Sequence, residues 1–277
     1  MSQVKWVFIA VLITSFFGPF MGSSINLAIP DMAKEFGVLP SSLTWFISAY
    51  LLGSIAVLVP MGKLADIVGR KKIYTYGLCL FIVMTIGAGF SASLEMLIIF
   101  SFLQGIASAM IFSTGMTLLV AVNKVTERGR AIGYSAAATY IGLSLGPFLG
   151  GIITHFWGWR SIFAIIALGL GLSLVAIRRV TSEWYGAKEK FDLKGSIAYC
   201  LASTGVLYGC SGYTESVWGP YFLYAGILFF VLFIRMQNII ANPILNINLF
   251  RENLIFAMSN LAAMINYSAT FAISFVL

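Results

Sequence analysis

Apolar runs of about 20 residues recur along the whole chain and are separated by short polar breaks. Each run is long enough to cross a hydrocarbon core of about 30 Å as an α-helix. Hydrophobic residues make up 60% of the chain and charged residues only 10%, which leaves more apolar surface than a soluble fold can bury. The predicted spans lie near residues 6–30, 43–65, 73–92, 95–121, 131–155, 160–178, 195–212, 219–238 and 254–277. The sequence therefore predicts an all-α integral membrane protein that lies in the lipid bilayer.

The distribution of basic residues predicts the orientation of these spans. If the spans alternate in direction, every lysine and arginine except Lys34 and Arg160 falls on the same side of the membrane. The positive-inside rule places that side and the N-terminus in the cytoplasm, so we expect a multi-pass protein of the plasma (cell inner) membrane. The net charge of +7 therefore reflects topology and does not indicate a nucleic-acid partner.

The residues that enzymes use for catalysis are missing from the sequence. It contains no nucleotide-binding glycine loop, no metal-ligand spacing and no nucleophile with a neighbouring base. An intramembrane enzyme would also need embedded carboxylates or histidines, which the predicted spans lack. We therefore predict that the protein is not an enzyme and has no catalytic residues, metal site or cofactor.

The loop after the second span combines glycines, one carboxylate and a cluster of bases. Its notable residues are Gly62, Asp66, Gly69, Arg70 and Lys71. A topology signal alone would need only the bases, so Asp66 is the informative member. Its carboxylate can accept charge-assisted hydrogen bonds from Arg70, from Arg130 or from a helix N-terminus, and would then hold two helices together as a gating loop. The alternative is a solvated loop in which the acid only compensates a helix dipole.

The fifth span carries a glycine at every fourth position. Gly142, Gly146 and Gly150 lie on one helix face and would let a neighbouring backbone approach closely. Pro147 removes a helix hydrogen bond beside this face, and Gly151 follows it, so we expect the span to bend where it packs most closely. The alternative is ordinary packing between small residues.

These two motifs resemble those of the major facilitator superfamily. The loop resembles the signature between helices 2 and 3, and the fifth span resembles the antiporter motif of exporters in that superfamily. Further similarity to the fourteen-helix drug:proton antiporter family is carried by Asn26, Ala28, Pro30, Trp45, Ala49, Tyr50, Leu52, Trp159, Arg160, Ile162, Phe163, Asp192, Gly195 and the segment from Pro243 to Arg251. A twelve-helix exporter is the nearer alternative and would lack the helix pair at 195–238.

The resemblance implies an organisation and a function. Residues 1–180 would form the N-terminal six-helix half, residues 181–240 a cytoplasmic linker with an inserted helix pair, and residues 241–277 an interfacial segment with the first helix of the second half. The function would be secondary active efflux of small amphipathic compounds or drugs by alternating access, with the proton as coupling ion. The remaining half would come from the same or another chain, and we expect the chain to be a fragment or a truncated frame. The alternative is a non-transporting subunit that pairs with another half-transporter.

Two positions depart from the pattern of the family. Met21 stands where helix 1 usually carries an acid, and Ser101 stands where helix 4 usually carries an arginine. We therefore hypothesise that neutral polar groups line the substrate site and that proton coupling resides elsewhere. The candidates are Ser23, Asn26, Tyr50, Ser101 and Gln104, of which the last two lie one helical turn apart on a common face. Hydrogen bonding between helices is the alternative role for these residues.

Overall fold

The computed structural model of the protein describes residues 3–186, 189–213 and 217–276, and the regular secondary structure among them is entirely helical. The long helices are α1 (Gln3–Phe36), α2 (Thr44–Val68), α3 (Arg70–Gly89), α4 (Leu94–Val122), α5 (Val125–Trp157), α6 (Arg160–Arg178), α7 (Leu193–Ser211), α8 (Gly219–Gln237) and α10 (Leu254–Val276). One short turn, α9 (Asn248–Glu252), lies between α8 and α10. Several helices extend beyond the predicted apolar runs because their polar ends are also helical.

Helices α1 to α6 form one bundle with a continuous apolar core. Helix α1 packs against α5 and α6, α2 against α4, and α3 against α4 and α6. The fully buried Tyr74 of α3 ties this core to α1, since its hydroxyl donates to the carbonyl of Ala10 at 3.0 Å and lies 2.9 Å from the hydroxyl of Thr14. Many large apolar side chains remain exposed on the outer faces, as expected of helices that a bilayer surrounds.

Helices α7 and α8 form a hairpin beside this bundle. The two helices approach closely where Gly205 faces Gly226, because a Cβ at Gly205 would lie 2.9 Å from the Cα of Gly226. Helix α7 also contacts α2, and the thiol of Cys200 donates to the carbonyl of Ala56 at 2.9 Å. The predicted inserted pair is therefore a packed hairpin that rests on α2.

The prediction of an all-α membrane protein is confirmed. Among the described residues, α1 to α6 and α8 make seven helices that are long and apolar enough to cross a membrane. Helix α7 corresponds to a predicted span but is not among the seven, since Gly195, Gly205, Gly209 and its serines make it less apolar. Helix α10 is also not among the seven, and its segment Leu254–Asn266 is a shorter apolar helix. Residue 277 of the predicted last span lies outside the described residues.

Candidate functional site

The glycine face of α5 lies directly against α1. A Cβ at Gly142 would lie 2.3 Å from the carbonyl oxygen of Phe16, and a Cβ at Gly150 would lie 2.7 Å from the Cβ of Ser24. Real Cβ atoms essentially never make contacts under 3.0 Å, so a side chain at either position would force the helices apart. The close approach that the sequence predicts is therefore present, and α1 is the partner helix.

The middle of this glycine face also carries a hydrogen bond between the helices. The hydroxyl of Ser24 donates to the carbonyl of Gly146 at 3.0 Å. A Cβ at Gly146 would lie 1.8 Å from the hydroxyl oxygen of Ser23, whereas Gly151 has room for one, with its nearest neighbour at 3.5 Å. Helix α5 continues through Pro147 as one helix. The bend at this proline and its part in transport remain predictions.

A second close helix pair, α2 with α4, was not predicted from the sequence. A Cβ at Gly53 would lie 2.2 Å from the carbonyl oxygen of Phe102, and a Cβ at Gly105 would lie 2.1 Å from the carbonyl oxygen of Tyr50. Each helix contributes one glycine, so neither span shows the regular glycine spacing of α5. The signals would have been Gly53 and Gly105, although each span also carries a second glycine, Gly62 or Gly115.

The two close helix pairs correspond to each other when the first three helices of the bundle are matched to the last three. If α1, α2 and α3 are matched to α4, α5 and α6, the pair α1–α5 becomes the pair α4–α2. Such a correspondence between two sets of three helices is the pattern that an internal repeat produces in transporters. Both matched pairs therefore pack through glycine, with Gly142, Gly146 and Gly150 all on α5 but one glycine on each helix of the α2–α4 pair.

A cavity of about 70 Å³ opens between α1, α2 and α4. It is lined by Gly18, Met21, Gly22, Ile25, Asn26, Phe46, Ile47, Tyr50 and Ser101. Sites that enclose drug-sized ligands usually measure about 300–1,000 Å³, so this cavity can form one wall of such a site but cannot enclose a ligand of that size.

Three polar residues of the sequence-predicted set line this cavity. The Ser101 hydroxyl is fully buried and donates to the carbonyl of Phe46 at 2.8 Å, while the Tyr50 hydroxyl donates to Ser108 at 2.7 Å. The amide of Asn26 is exposed and makes no hydrogen bond to another residue in the described part of the chain. Asn26 is therefore the member of the three whose donor and acceptor are both available to a ligand.

The two positions that depart from the family pattern meet in this cavity. Met21 on α1 and Ser101 on α4 both line it, although 80 residues separate them in the sequence. None of the lining residues that the structure describes is charged. A ligand on this wall would thus meet apolar groups and neutral hydrogen-bonding groups only.

Two other predicted lining residues lie elsewhere. Ser23 faces α5 at Gly146 and donates to the carbonyl of Pro19 at 3.0 Å, and Gln104 is fully buried and donates to the hydroxyl of Thr85 on α3 at 2.9 Å. Ser101 and Gln104 lie one helical turn apart on α4, but they bond to different neighbours, Ser101 to α2 and Gln104 to α3. Residues three apart differ by about 60° around a helix, which is enough to reach different neighbours.

The loop between α2 and α3 contains the predicted ion pair. The Nε of Arg70 donates to Oδ1 of Asp66 at 2.7 Å. Between them, Gly69 has φ of +122°, a conformation that favours glycine, and it ends α2. Gly62 lies on the inner side of α2, where a Cβ would meet Ser113 of α4 at 3.7 Å.

Arg130 does not join that ion pair. Its guanidinium donates to the hydroxyl of Tyr134 on the same helix, at 3.0 Å from Nη2 and 3.2 Å from Nε. The amide of Lys71 instead donates to the carboxylate of Glu183, at 2.7 Å. Of the three partners that the sequence suggested for Asp66, Arg70 is the one observed, and Glu183 is a contact that sequence reasoning missed.

A second charged cluster closes the opposite end of the bundle. The guanidinium of Arg160 contacts both carboxylate oxygens of Glu35, at 2.5 and 2.6 Å, and donates to the carbonyl of Ser91 at 3.0 Å. The indole of Trp159 donates to the same carboxylate at 2.7 Å. This cluster joins the ends of α1, α3 and α6.

Comparison with known proteins identifies relatives of the chain. It is 31% identical to the multidrug resistance protein Stp of Mycobacterium tuberculosis (strain CDC 1551 / Oshkosh), over 82% of this chain and 44% of that protein. It is 29% identical to the riboflavin transporter RibZ of Clostridioides difficile (strain 630), over 99% and 60% of the two chains. It is 30% identical to the methylenomycin A resistance protein of Bacillus subtilis (strain 168), over 88% and 53%.

The chain thus spans between 44% and 60% of the length of these three curated relatives. The family model described as Major Facilitator Superfamily matches residues 11–277, which is nearly the whole chain. That family consists of transporters and not of enzymes. The helical membrane bundle with its two glycine-mediated helix pairs is consistent with this match. The chain belongs to the major facilitator superfamily.

Proposed function

We propose that the chain forms the N-terminal, substrate-contacting part of an exporter of small amphipathic compounds. The observation that carries this proposal is the open cavity between α1, α2 and α4, with an apolar wall and the side-chain amide of Asn26, which has no partner among the described residues. Mostly apolar cavities with a few polar groups accept varied amphipathic ligands. The names of the relatives, which include two resistance proteins and a riboflavin transporter, support the same class of substrate.

A second half, in the same or another polypeptide, supplies the opposite wall of the site. The cavity of about 70 Å³ is too small to enclose a drug-sized ligand, so a complementary surface is needed to surround it. The two halves then rock around the substrate in alternating access. The end of the bundle that carries the α2–α3 loop faces the cytoplasm of the plasma membrane in this proposal, as the distribution of basic residues supports.

The neutral wall favours uncharged over cationic substrates at this surface. Met21 and Ser101 occupy the cavity where charged residues are usual in the drug:proton antiporters that the sequence resembles, so no described carboxylate on this wall attracts a cation. If export is coupled to protons, the exchanging carboxylate belongs to the other half, because a proton relay needs a buried ionisable group.

The test is ligand binding to the complete transporter that contains this chain, purified in lipid nanodiscs. Riboflavin serves as the neutral probe and ethidium as the cationic probe, both followed by fluorescence. We expect Asn26→Leu to weaken riboflavin binding by about 3- to 30-fold, which corresponds to about 0.6–2 kcal/mol for one hydrogen bond in a membrane protein. The control is Asn260→Leu, which replaces an exposed asparagine of α10 outside the cavity. Equal affinities for wild type and Asn26→Leu would remove Asn26 from the site.

A further inference from the structure

The N-terminus of α3 needs an acceptor from another part of the chain. Its first residues are Arg70, Lys71 and Lys72, its first turn contains no acidic residue, and its N-cap is Gly69, which has no side chain to accept a hydrogen bond. The first backbone amides of any helix lack partners within the helix, and positive side chains there oppose the helix dipole. A local cap is therefore missing at the point where the gating loop enters α3.

Glu183, in the segment that follows α6, supplies this acceptor. Its Oε1 accepts the backbone N–H of Lys71 at 2.7 Å, and its Oε2 accepts the backbone N–H of Lys72 at 3.2 Å. One carboxylate therefore caps two amides and brings a negative charge to a helix end that carries three bases. The capping residue lies 112 positions away from Lys71, so this is a tertiary contact and not a local motif.

The same segment also bonds to both members of the ion pair in the α2–α3 loop. The backbone N–H of Arg70 donates to the carbonyl of Trp184 at 2.8 Å, and the backbone N–H of Gly186 donates to the carbonyl of Asp66 at 2.8 Å. The side chains of Asp66 and Arg70 pair with each other at 2.7 Å. The segment 183–186 thus fixes the main chain on both sides of the ion pair.

Close backbone contact makes this arrangement specific. A Cβ at Gly69 would lie 2.7 Å from Cδ of Glu183, and a Cβ at Gly186 would lie 2.5 Å from Cβ of Asp66. Two glycines therefore allow the two chain segments to lie against each other. An ion pair between Lys63 and Glu189 joins the same two parts of the chain further along.

We infer that Glu183 is a positioning residue for the gating loop. It acts through the N-terminus of α3 to hold the Asp66–Arg70 pair in place, and it does not line the cavity. A change at Glu183 therefore alters the rate of the conformational cycle and leaves substrate affinity unchanged. The effect on transport rests on the proposed function, whereas the effect on the loop does not.

Hydrogen–deuterium exchange of the purified chain tests the effect on the loop. Glu183→Gln keeps the size of the side chain, but its amide offers one acceptor oxygen where the carboxylate offers two. We expect the backbone amides of Lys71 and Lys72 to exchange about tenfold faster in this variant. The matched control is Glu252→Gln in α9, where an exposed glutamate is replaced and these amides should keep their wild-type rate. Unchanged exchange in Glu183→Gln would overturn the inference.

A double-mutant cycle tests the effect on transport. In cells that express the complete transporter, we expect Glu183→Gln to lower the maximal efflux rate of riboflavin by about tenfold without changing the half-saturating concentration. If Glu183 acts through the ion pair, the double variant with Glu183→Gln and Asp66→Asn should lose no more efflux rate than Asp66→Asn alone. Additive losses in efflux rate would contradict the assigned role. Absence of efflux in the wild type would refute the proposed function, and the exchange experiment would still decide whether Glu183 holds the loop.

Discussion

Adding one methyl group at Gly142 should separate α1 from α5. The new Cβ would lie 2.3 Å from the carbonyl oxygen of Phe16, 3.1 Å from its carbonyl carbon and 3.3 Å from its Cα. All three atoms belong to the backbone of α1, so no side-chain rotation can relieve the contact. Because ordinary van der Waals contact begins near 3.4 Å, α1 must move away by about 1 Å.

The expected cost follows from that displacement. A gap of about 0.5–1 Å forfeits roughly a quarter to a half of the dispersion energy of each contact along the interface. Overpacking of this kind typically costs about 1–3 kcal/mol. We therefore expect Gly142→Ala to lower the free energy of unfolding by about 1–3 kcal/mol, measured by denaturant titration of the purified chain in mild detergent.

The same helix offers a matched control. A Cβ at Gly133 of α5 would meet no atom within 4 Å, so Gly133→Ala changes the same residue type without a clash. Alanine favours a helix over glycine by about 0.8–1 kcal/mol, and we expect this variant to be as stable as the wild type or more stable. Equal unfolding free energies for Gly142→Ala and Gly133→Ala would refute the argument that α1 lies too close to accept a side chain.

Three further substitutions probe buried and terminal polar contacts. Thr85→Val should cost about 1–3 kcal/mol of unfolding free energy, because it leaves the buried amide nitrogen of Gln104 without its acceptor. Gln104→Met should cost less, because it also removes the side-chain oxygen of Gln104, which has no partner among the described residues. Equal costs in denaturant titration would contradict this asymmetry. Arg160→Lys should lower the unfolding free energy, because lysine cannot contact both Glu35 oxygens and the Ser91 carbonyl in the same geometry. The cost should be about 1 kcal/mol or less, because the cluster is partly exposed. High salt should reduce that difference, and a cost that is independent of salt would argue against an electrostatic origin.

The glycine pattern shows how far sequence reasoning reaches in this protein. Glycines at every fourth position made the face of α5 visible, because residues four apart lie on one side of a helix. The equally close contact between α2 and α4 uses only Gly53 and Gly105, one on each helix. A pairwise contact of this kind has no period within either helix, so it becomes visible only when both helices are placed.

The candidate binding residues show the same division. All five were chosen because they are polar and lie within apolar spans, and three of them line the cavity while Ser23 and Gln104 bond neighbouring helices. Hydropathy distinguishes the membrane interior from water but does not specify which neighbour a polar side chain faces. The direction of a side chain around its helix, and the helix that lies there, decide that outcome.

The sequence by itself determined the membrane-spanning helices, the resemblance to the major facilitator superfamily and a short set of partners for Asp66 that included Arg70. These depend on hydropathy over about 20 residues and on spacings of a few positions, which are local properties of the chain. Only the tertiary structure decided that Met21 and Ser101 share one cavity and that Glu183 caps α3. Each of those contacts joins residues at least 80 positions apart, so it arises from the packing of helices and not from any local pattern.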